Sequence, residues 1–474
     1  VIEEKDSQQA PSTASKGRKR TASPSLQAAR LTAGSFLLLI VIGAVLLSLP
    51  ISTRGEGSVP PLEGIFTATS AVCLTGLVVV DTATFWTPFG QAVILGLIQV
   101  GGLGIMTLAS LTGMLLVRKV SIRSRRLAQA ESRPFSMGGA KRTILATVLL
   151  TVVTEAVMAL ILAWRFITEY QLPVAYSLWS GTFHSISAFN NAGFALRSAN
   201  MIDYQDDWFI LSPIMIAVVL GGLGYSVLAE IVRRARRRWR MRHSRSTTAV
   251  GHLSVTSRIT LIGTAVLLIA GFAIYLAVEW HGAFEEFGVE KKILNALFAT
   301  VTARTAGFNA IDYSQLSDTS LLATEGLMFI GGGSAGTAGG IKITTIVVLL
   351  YAMWTEFSGE KEVIVSKRHV PDSVIRQAMT VAAAGALVVW LSIVVLRVLN
   401  PHLDADHVTF EVVSAFGTVG LSTGITAALT APSQVILCVL MYLGRIGPIT
   451  MVAALAARKT TRHFHYPEER PLIG

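Results

Sequence analysis

Charge is scarce in this chain. Only 15% of its 474 residues are Asp, Glu, Lys or Arg, whereas 52% are hydrophobic, and the mean hydropathy is +0.57. Soluble domains carry about 25% charged residues, so an ordinary water-soluble fold is excluded. Cysteine is nearly absent: Cys73 and Cys438 are too few for a disulfide framework. The nine His residues show no metal-ligand spacing, which removes a zinc site. The first 30 residues show no cleavable signal peptide. They are polar, rich in Ser, Lys and Arg, and expected to be disordered.

Long apolar runs are plentiful instead. They cover 31–49, 88–117, 143–164, 209–231, 259–278, 321–330 continued as 341–354, 374–398 and 434–457. A membrane span needs about 20 apolar residues, so eight transmembrane helices are expected, the sixth interrupted by glycines. The net charge of +11 does not point to nucleic acid, because it is laid out by side. Lys and Arg crowd 16–20, 118–142, 233–258, 361–376 and 458–470. Acidic residues such as Glu63, Asp81, Asp203, Asp207, Glu285, Asp312, Asp404 and Glu411 lie between paired spans. The positive-inside rule then predicts a multi-pass protein with both termini in the cytoplasm. The Arg-rich run at 233–238 directly follows a span and fits cytosolic retention better than RNA binding.

Four short segments recur at nearly constant spacing: Cys73-Leu74-Thr75-Gly76-Leu77, Asn190-Asn191-Ala192-Gly193-Phe194, Arg304-Thr305-Ala306-Gly307-Phe308 and Gly417-Thr418-Val419-Gly420-Leu421. Their glycines are 117, 114 and 113 residues apart, the mark of a repeat architecture. The expected fold is an all-α integral membrane protein, with eight transmembrane helices in four helix–pore loop–helix repeats and pseudo-fourfold symmetry around one pore. The repeats run 31–120, 121–240, 241–365 and 366–458, between cytosolic tails at 1–30 and 459–474. Each loop follows a segment too short to span, with Phe66, Phe183, Phe298 or Phe410 and a later Ser or Thr. Such segments fit re-entrant helices, tolerated at membrane depth only inside protein or along a water path. Their C-terminal ends favour a cation. Glycine suits carbonyls aimed at one axis, because that backbone often needs φ > 0. In repeat three the Phe and Thr stand one residue nearer the glycine than in the others, an irregularity the sequence leaves unexplained.

A second glycine register follows at Gly101-Gly102-Leu103-Gly104, Gly221-Gly222-Leu223-Gly224, Gly331-Gly332-Gly333-Ser334 and Gly444-Arg445-Ile446-Gly447. It predicts a flexible or closely packed point in each inner helix. The stretch Gly331-Gly332-Gly333-Ser334-Ala335-Gly336-Thr337-Ala338-Gly339-Gly340 holds six glycines, and at about 1 kcal/mol each no helix persists through it. It is expected to be a loop within the membrane, 331–340, whose free amides meet water or protein. Lys342 follows it, and Arg445 stands at the corresponding depth of the last span. An intramembrane charge costs roughly 2.5–3.5 kcal/mol on insertion scales. Arg445 is therefore expected to brace the loop as a gate, its charge held by loop carbonyls.

These motifs resemble the Trk/Ktr/HKT superfamily of potassium transporters over about residues 31–474. The resemblance implies K+ as the ion, coordinated by backbone carbonyls of a filter. That filter comprises Cys73, Leu74, Thr75, Gly76, Asn190, Asn191, Ala192, Gly193, Arg304, Thr305, Ala306, Gly307, Gly417, Thr418, Val419 and Gly420. The 331–340 loop, Lys342 and Arg445 form the gate. It further implies a homodimer in the lipid of a bacterial cell membrane, and a cytosolic RCK-type (KtrA-like) ring that binds ATP or ADP. Many members are Na+-activated. No residue here carries that feature by itself, nor decides between channel-like flux and symport. No enzyme activity, bound cofactor or nucleic acid is expected.

Gly331-x-Gly333-x-x-Gly336 imitates a dinucleotide fingerprint but lacks a βαβ unit. Gly332-x-Ser334-x-Gly336 imitates a nucleophile elbow but has no nearby His base, since His184 belongs to another repeat. A secondary solute transporter with a broken-helix site is the alternative function. Its inverted repeats do not fit four units of one orientation. Glu155 and Arg165 share a span, about 15 Å apart along it, and are too far apart to pair directly.

Overall fold

The computed structural model describes residues 24–55, 60–118, 137–242, 253–334, 336–360 and 362–457. The expected tails at 1–30 and 459–474, Ala335 and most of the basic stretch 118–142 lie wholly or largely outside the described residues. Helices dominate. The described strands are β1 (Ile364–Val365) and β2 (Arg368–His369), a small antiparallel ribbon.

The helices follow a recurring order. α1 (Pro24–Leu47), α2 (Pro61–Cys73) and α3 (Pro88–Arg118) come first. Next are α4 (Met137–Thr168), α5 (Val174–Phe189), α6 (Trp208–Leu223) and α7 (Tyr225–Arg242). The third set is α8 (Val255–Glu279), α9 (Val289–Thr302), α10 (Asp318–Phe329) and α11 (Ile343–Phe357). The last is α12 (Asp372–Leu399), α13 (Ala405–Gly417) and α14 (Ala431–Ala457).

Among the described residues four helices are long and apolar enough to cross a membrane: the first of each set, in α1, α4, α8 and α12. Their outward faces carry exposed Leu38, Leu149, Ile269 and Leu387, as lipid contact requires. The count rises to five if the bent pair of α6 and α7 is one span, against eight expected. Of the second segments, α3 and α14 are continuous helices of 31 and 27 residues, whereas the fourth and sixth are interrupted. Residues 209–231, expected as one continuous span, break at Gly224, and the two pieces meet at 100°. The sixth segment breaks as expected, between α10 and α11.

The short helices α2, α5, α9 and α13 have 13, 16, 14 and 13 residues, about 20–24 Å at 1.5 Å per residue. Pro60-Pro61 opens α2 and Pro173 precedes α5, where a missing N–H costs nothing. The recurring Phe66, Phe183, Phe298 and Phe410 are all essentially fully buried and anchor these helices in the core. Neighbouring sets touch in a closed order: α3 with α4 and α5, α6 with α9, α10 with α13, and α14 with α1 and α2.

Candidate functional site

Each short helix ends where a glycine loop begins, and each loop holds two left-handed residues separated by one. They are Leu74 (φ 57°) and Gly76 (95°), Asn191 (57°) and Gly193 (72°), Thr305 (68°) and Gly307 (72°), and Thr418 (49°) and Gly420 (92°). Alternating left-handed with ordinary backbone aligns successive peptide groups, so that main chain rather than side chain faces a shared path. The glycines were legible from the sequence. The left-handed Leu74, Asn191, Thr305 and Thr418 were not, because non-glycine residues avoid that region.

The four loops converge. A Cβ on Gly76 would stand 2.5 Å from the carbonyl oxygen of Ala192, one on Gly193 3.0 Å from that of Ala306, and one on Gly307 2.5 Å from that of Val419. On Gly420 it would collide with the carbonyl of Thr75, which closes the circuit. Each glycine therefore occupies the space where the next loop sets the carbonyl preceding its own glycine. The residue is needed twice over, for its positive φ and for the missing side chain. The C-terminal ends of α2, α5, α9 and α13 all abut this ring, and their partial negative charge favours a cation there.

Hydroxyls behind the loops hold their shape. Ser70 and Ser414 accept from the amides of Gly76 and Gly420 at 3.0 and 3.1 Å, and the Ser187 hydroxyl donates to Phe194 O at 2.8 Å. The irregular third repeat has a local explanation. In the other three, the amide preceding the glycine closes onto the carbonyl of Ser70, Ser187 or Ser414, five residues back, at 2.8–2.9 Å. In repeat three the Thr302 carbonyl takes both Ala306 N at 2.9 Å and Gly307 N at 3.4 Å, so the amide before the glycine closes onto a residue four back instead of five.

The second glycine register marks close approach. A Cβ on Gly101, Gly221 or Gly444 would strike the carbonyl of Val72, Phe189 or Phe416 respectively, each four residues before a loop glycine. In repeat three Gly331 instead lies against Gly339 of its own loop.

The 331–340 loop packs beside the ring, and several of its amides donate to protein carbonyls. Gly333 N donates to Gly222 O at 2.9 Å and Thr337 N to Gly221 O at 3.2 Å, both at the broken end of α6. Gly331 N donates to Ile341 O at 2.8 Å. Three of the four glycine loops grip this segment. The Thr337 hydroxyl donates to Asn191 Oδ1 at 2.8 Å. Arg304 Nη2 reaches Gly331 O at 3.3 Å, and Gly339 rests on the Thr418 side chain. Arg445 Nη1 donates to Thr337 O, and Lys342 Nζ to Ala338 O. The sequence cast Arg304 and Asn191 only as backbone donors to an ion; their side chains also hold the neighbouring loop.

Other polar residues have structural roles. Glu155 meets a neighbouring helix: its carboxylate accepts from Gln99 Nε2 at 3.1 Å and Asn190 Nδ2 at 3.0 Å. Arg165 pairs with Asp207 at 2.7 Å and Glu169 at 3.1 Å. His184 is buried between Ser180 O, 2.7 Å from Nδ1, and Leu196 N, which donates to Nε2 at 3.2 Å. Ser334 contacts the Thr344 hydroxyl at 2.7 Å, not a base. Among the described residues no cluster of His, Cys, Asp and Glu could hold a metal, and both cysteines are free and buried.

Comparison with known proteins supplies a lineage. The family model described as a cation transport protein, TrkH, matches residues 19–463. The chain is 37% identical to the Ktr system potassium uptake protein B of Bacillus subtilis, covering 93% of this chain and 95% of that one. It is 34% identical to the potassium/sodium uptake protein NtpJ of Enterococcus hirae, covering 95% and 98%. Among solved structures, the crystal structure of the potassium transporter TrkH from Vibrio parahaemolyticus superposes with a TM-score of 0.67 at 18% identity, covering 88% of this chain and 84% of that one.

Proposed function

The chain belongs to the TrkH family of cation transport proteins, and on that premise we propose that it is the ion-translocating membrane subunit of a potassium uptake system. The observation that carries this reading is the closed circuit of four glycine loops, in which each glycine lies against the carbonyl of the next. A dehydrated monovalent cation needs several oxygens at once, and rings of main-chain carbonyls supply them. The positions at 73–76, 190–193, 304–307 and 417–420 then form the filter. They differ in side chain, which is tolerable when carbonyls coordinate. The uptake proteins named above handle potassium, and in one case sodium, so K+ is assigned as cargo and Na+ as competitor or activator.

The 331–340 loop, with Lys342 and Arg445, is the gate in this reading. The protein works as a homodimer in a bacterial cell membrane, with both termini cytoplasmic. A cytosolic nucleotide-binding ring acts from the cytoplasmic side, on basic connections such as 118–142. The breaks between α6 and α7 and between α10 and α11 also suit a broken-helix carrier, but such a carrier has no use for a circuit of four matched loops.

Vesicles holding the purified protein test the filter. The wild type should pass K+ in preference to Na+. Gly307→Ser should lower that preference about tenfold or more while the protein still reaches the membrane, because its Cβ would press on Val419 O at a φ of 72°. Unchanged discrimination would remove Gly307 from the ion path.

A further inference from the structure

The turn at Gly224 aims a cationic helix along the membrane. Gly224 has φ 86° and ψ 150°, a region open essentially to glycine alone, and α7 leaves α6 at 100°. With α6 running into the bilayer, a helix at that angle lies along its surface.

The composition of α7 fits that position. At 100° per residue, Leu228, Ile231, Val232, Ala235 and Trp239 fall in one arc of about 100°, the width of an apolar stripe. Arg233, Arg234, Arg236, Arg237 and Arg238 fill the opposite and flanking arcs. Ile231, Val232 and Trp239 are 36%, 39% and 67% exposed, so the outer half of the stripe is open. Among the described residues none of the five guanidinium groups is within salt-bridge distance of a carboxylate. The single acid of the helix, Glu230, is engaged elsewhere. It accepts from Ser254 N at 2.7 Å, from the Ser254 hydroxyl at 2.8 Å and from the Ser257 hydroxyl at 2.5 Å, tying α7 to the start of α8. A helix with an apolar stripe, an interfacial Trp and an Arg-rich face suits the headgroup layer of an anionic bilayer.

We infer that α7 is an interfacial anchor, laying its apolar stripe and Trp239 into the headgroup region while its arginines bind the phosphates of anionic phospholipids. The root of this anchor is the end of α6, where Gly221 and Gly222 receive the amides of the 331–340 loop. Anionic lipid therefore bears on the loop through one helix turn. The inference needs α6 to enter the membrane and does not depend on which ion the protein carries.

The test places the full chain in nanodiscs of phosphatidylcholine alone, or with a third of the lipid replaced by phosphatidylglycerol. Ala235→Cys, in the centre of the stripe, carries a bimane label. Cys73 and Cys438 are buried, so the label reports α7. Each basic residue near an anionic surface contributes about a fivefold preference. Quenching by aqueous iodide should therefore fall at least about fivefold in the anionic discs and recover in high salt. The same change should vanish when the five arginines become Gln. Equal quenching in both lipids would overturn the inference, whether the label is exposed or shielded in both. So would shielding that appears only when a soluble protein partner is added, since the face would then be a protein interface. The readout is helix depth, so its failure leaves the ion-path reading standing.

Discussion

Thr337 ties the 331–340 loop to three other parts of the structure. Its hydroxyl donates to Asn191 in one glycine loop, its amide to Gly221 at the end of α6, and its carbonyl accepts from Arg445. Thr337→Val keeps the shape and removes the hydroxyl, leaving Asn191 Oδ1 buried without its donor, a penalty of about 1–3 kcal/mol. The expected result is severalfold higher K+ flux in vesicles lacking any regulatory partner. Flux equal to wild type would remove this contact from the gate. Arg445→Gln should act in the same direction and more strongly, because it also withdraws the charge that grips the loop. The recurring loop glycines were readable because period and residue type coincide. Their steric role was not, since only the assembled ring shows a neighbouring carbonyl in the space of each missing Cβ. The side-chain work of Arg304 and Asn191 was equally hidden, because the Asn191 contact crosses between repeats and the Arg304 contact joins residues 27 positions apart within repeat three.

Two inner segments with one pattern behave differently as elements. Val100-Gly101-Gly102-Leu103-Gly104 stays helical, whereas Leu220-Gly221-Gly222-Leu223-Gly224 breaks at its last glycine. The surroundings account for it. Ending α6 exposes the carbonyls of Gly221 and Gly222, and the 331–340 loop supplies amides to both. Each break thus satisfies the other, which neither segment shows alone. In repeat one the comparable place is taken by the Asn190 side chain, packed on Gly102. The sixth-segment break was legible because six glycines in ten residues forbid a helix. The fourth was not, because three glycines in a span usually mean close packing. Gly224→Ala forces a Cβ into φ 86°, at a cost of about 1–3 kcal/mol. It should lower the thermal midpoint of the detergent-solubilised protein and loosen the gate together. Loss of stability with gating unchanged would separate the break from the loop.

Taken whole, the molecule is four sets of helices in a closed order of contacts around one ring of loops. Composition announced a membrane protein, and spacing announced four units. One break went unforeseen, in the fourth span, because hydropathy counts apolar residues without seeing where a backbone must open to receive a loop. An ion held by the ring would bind the folded state alone, so K+ should stabilise the protein by RT ln(1 + [K+]/Kd), about 2.7 kcal/mol at a hundredfold excess over Kd. Replacing K+ with N-methylglucamine should therefore lower the thermal midpoint by several degrees, and an unchanged midpoint would argue against a bound ion. The most direct measurement is crystallography with Rb+ or Tl+ in place of K+. The account predicts anomalous density on the axis shared by Thr75, Ala192, Ala306 and Val419, ringed by their carbonyl oxygens. Density located elsewhere, with none inside that circuit, would contradict it.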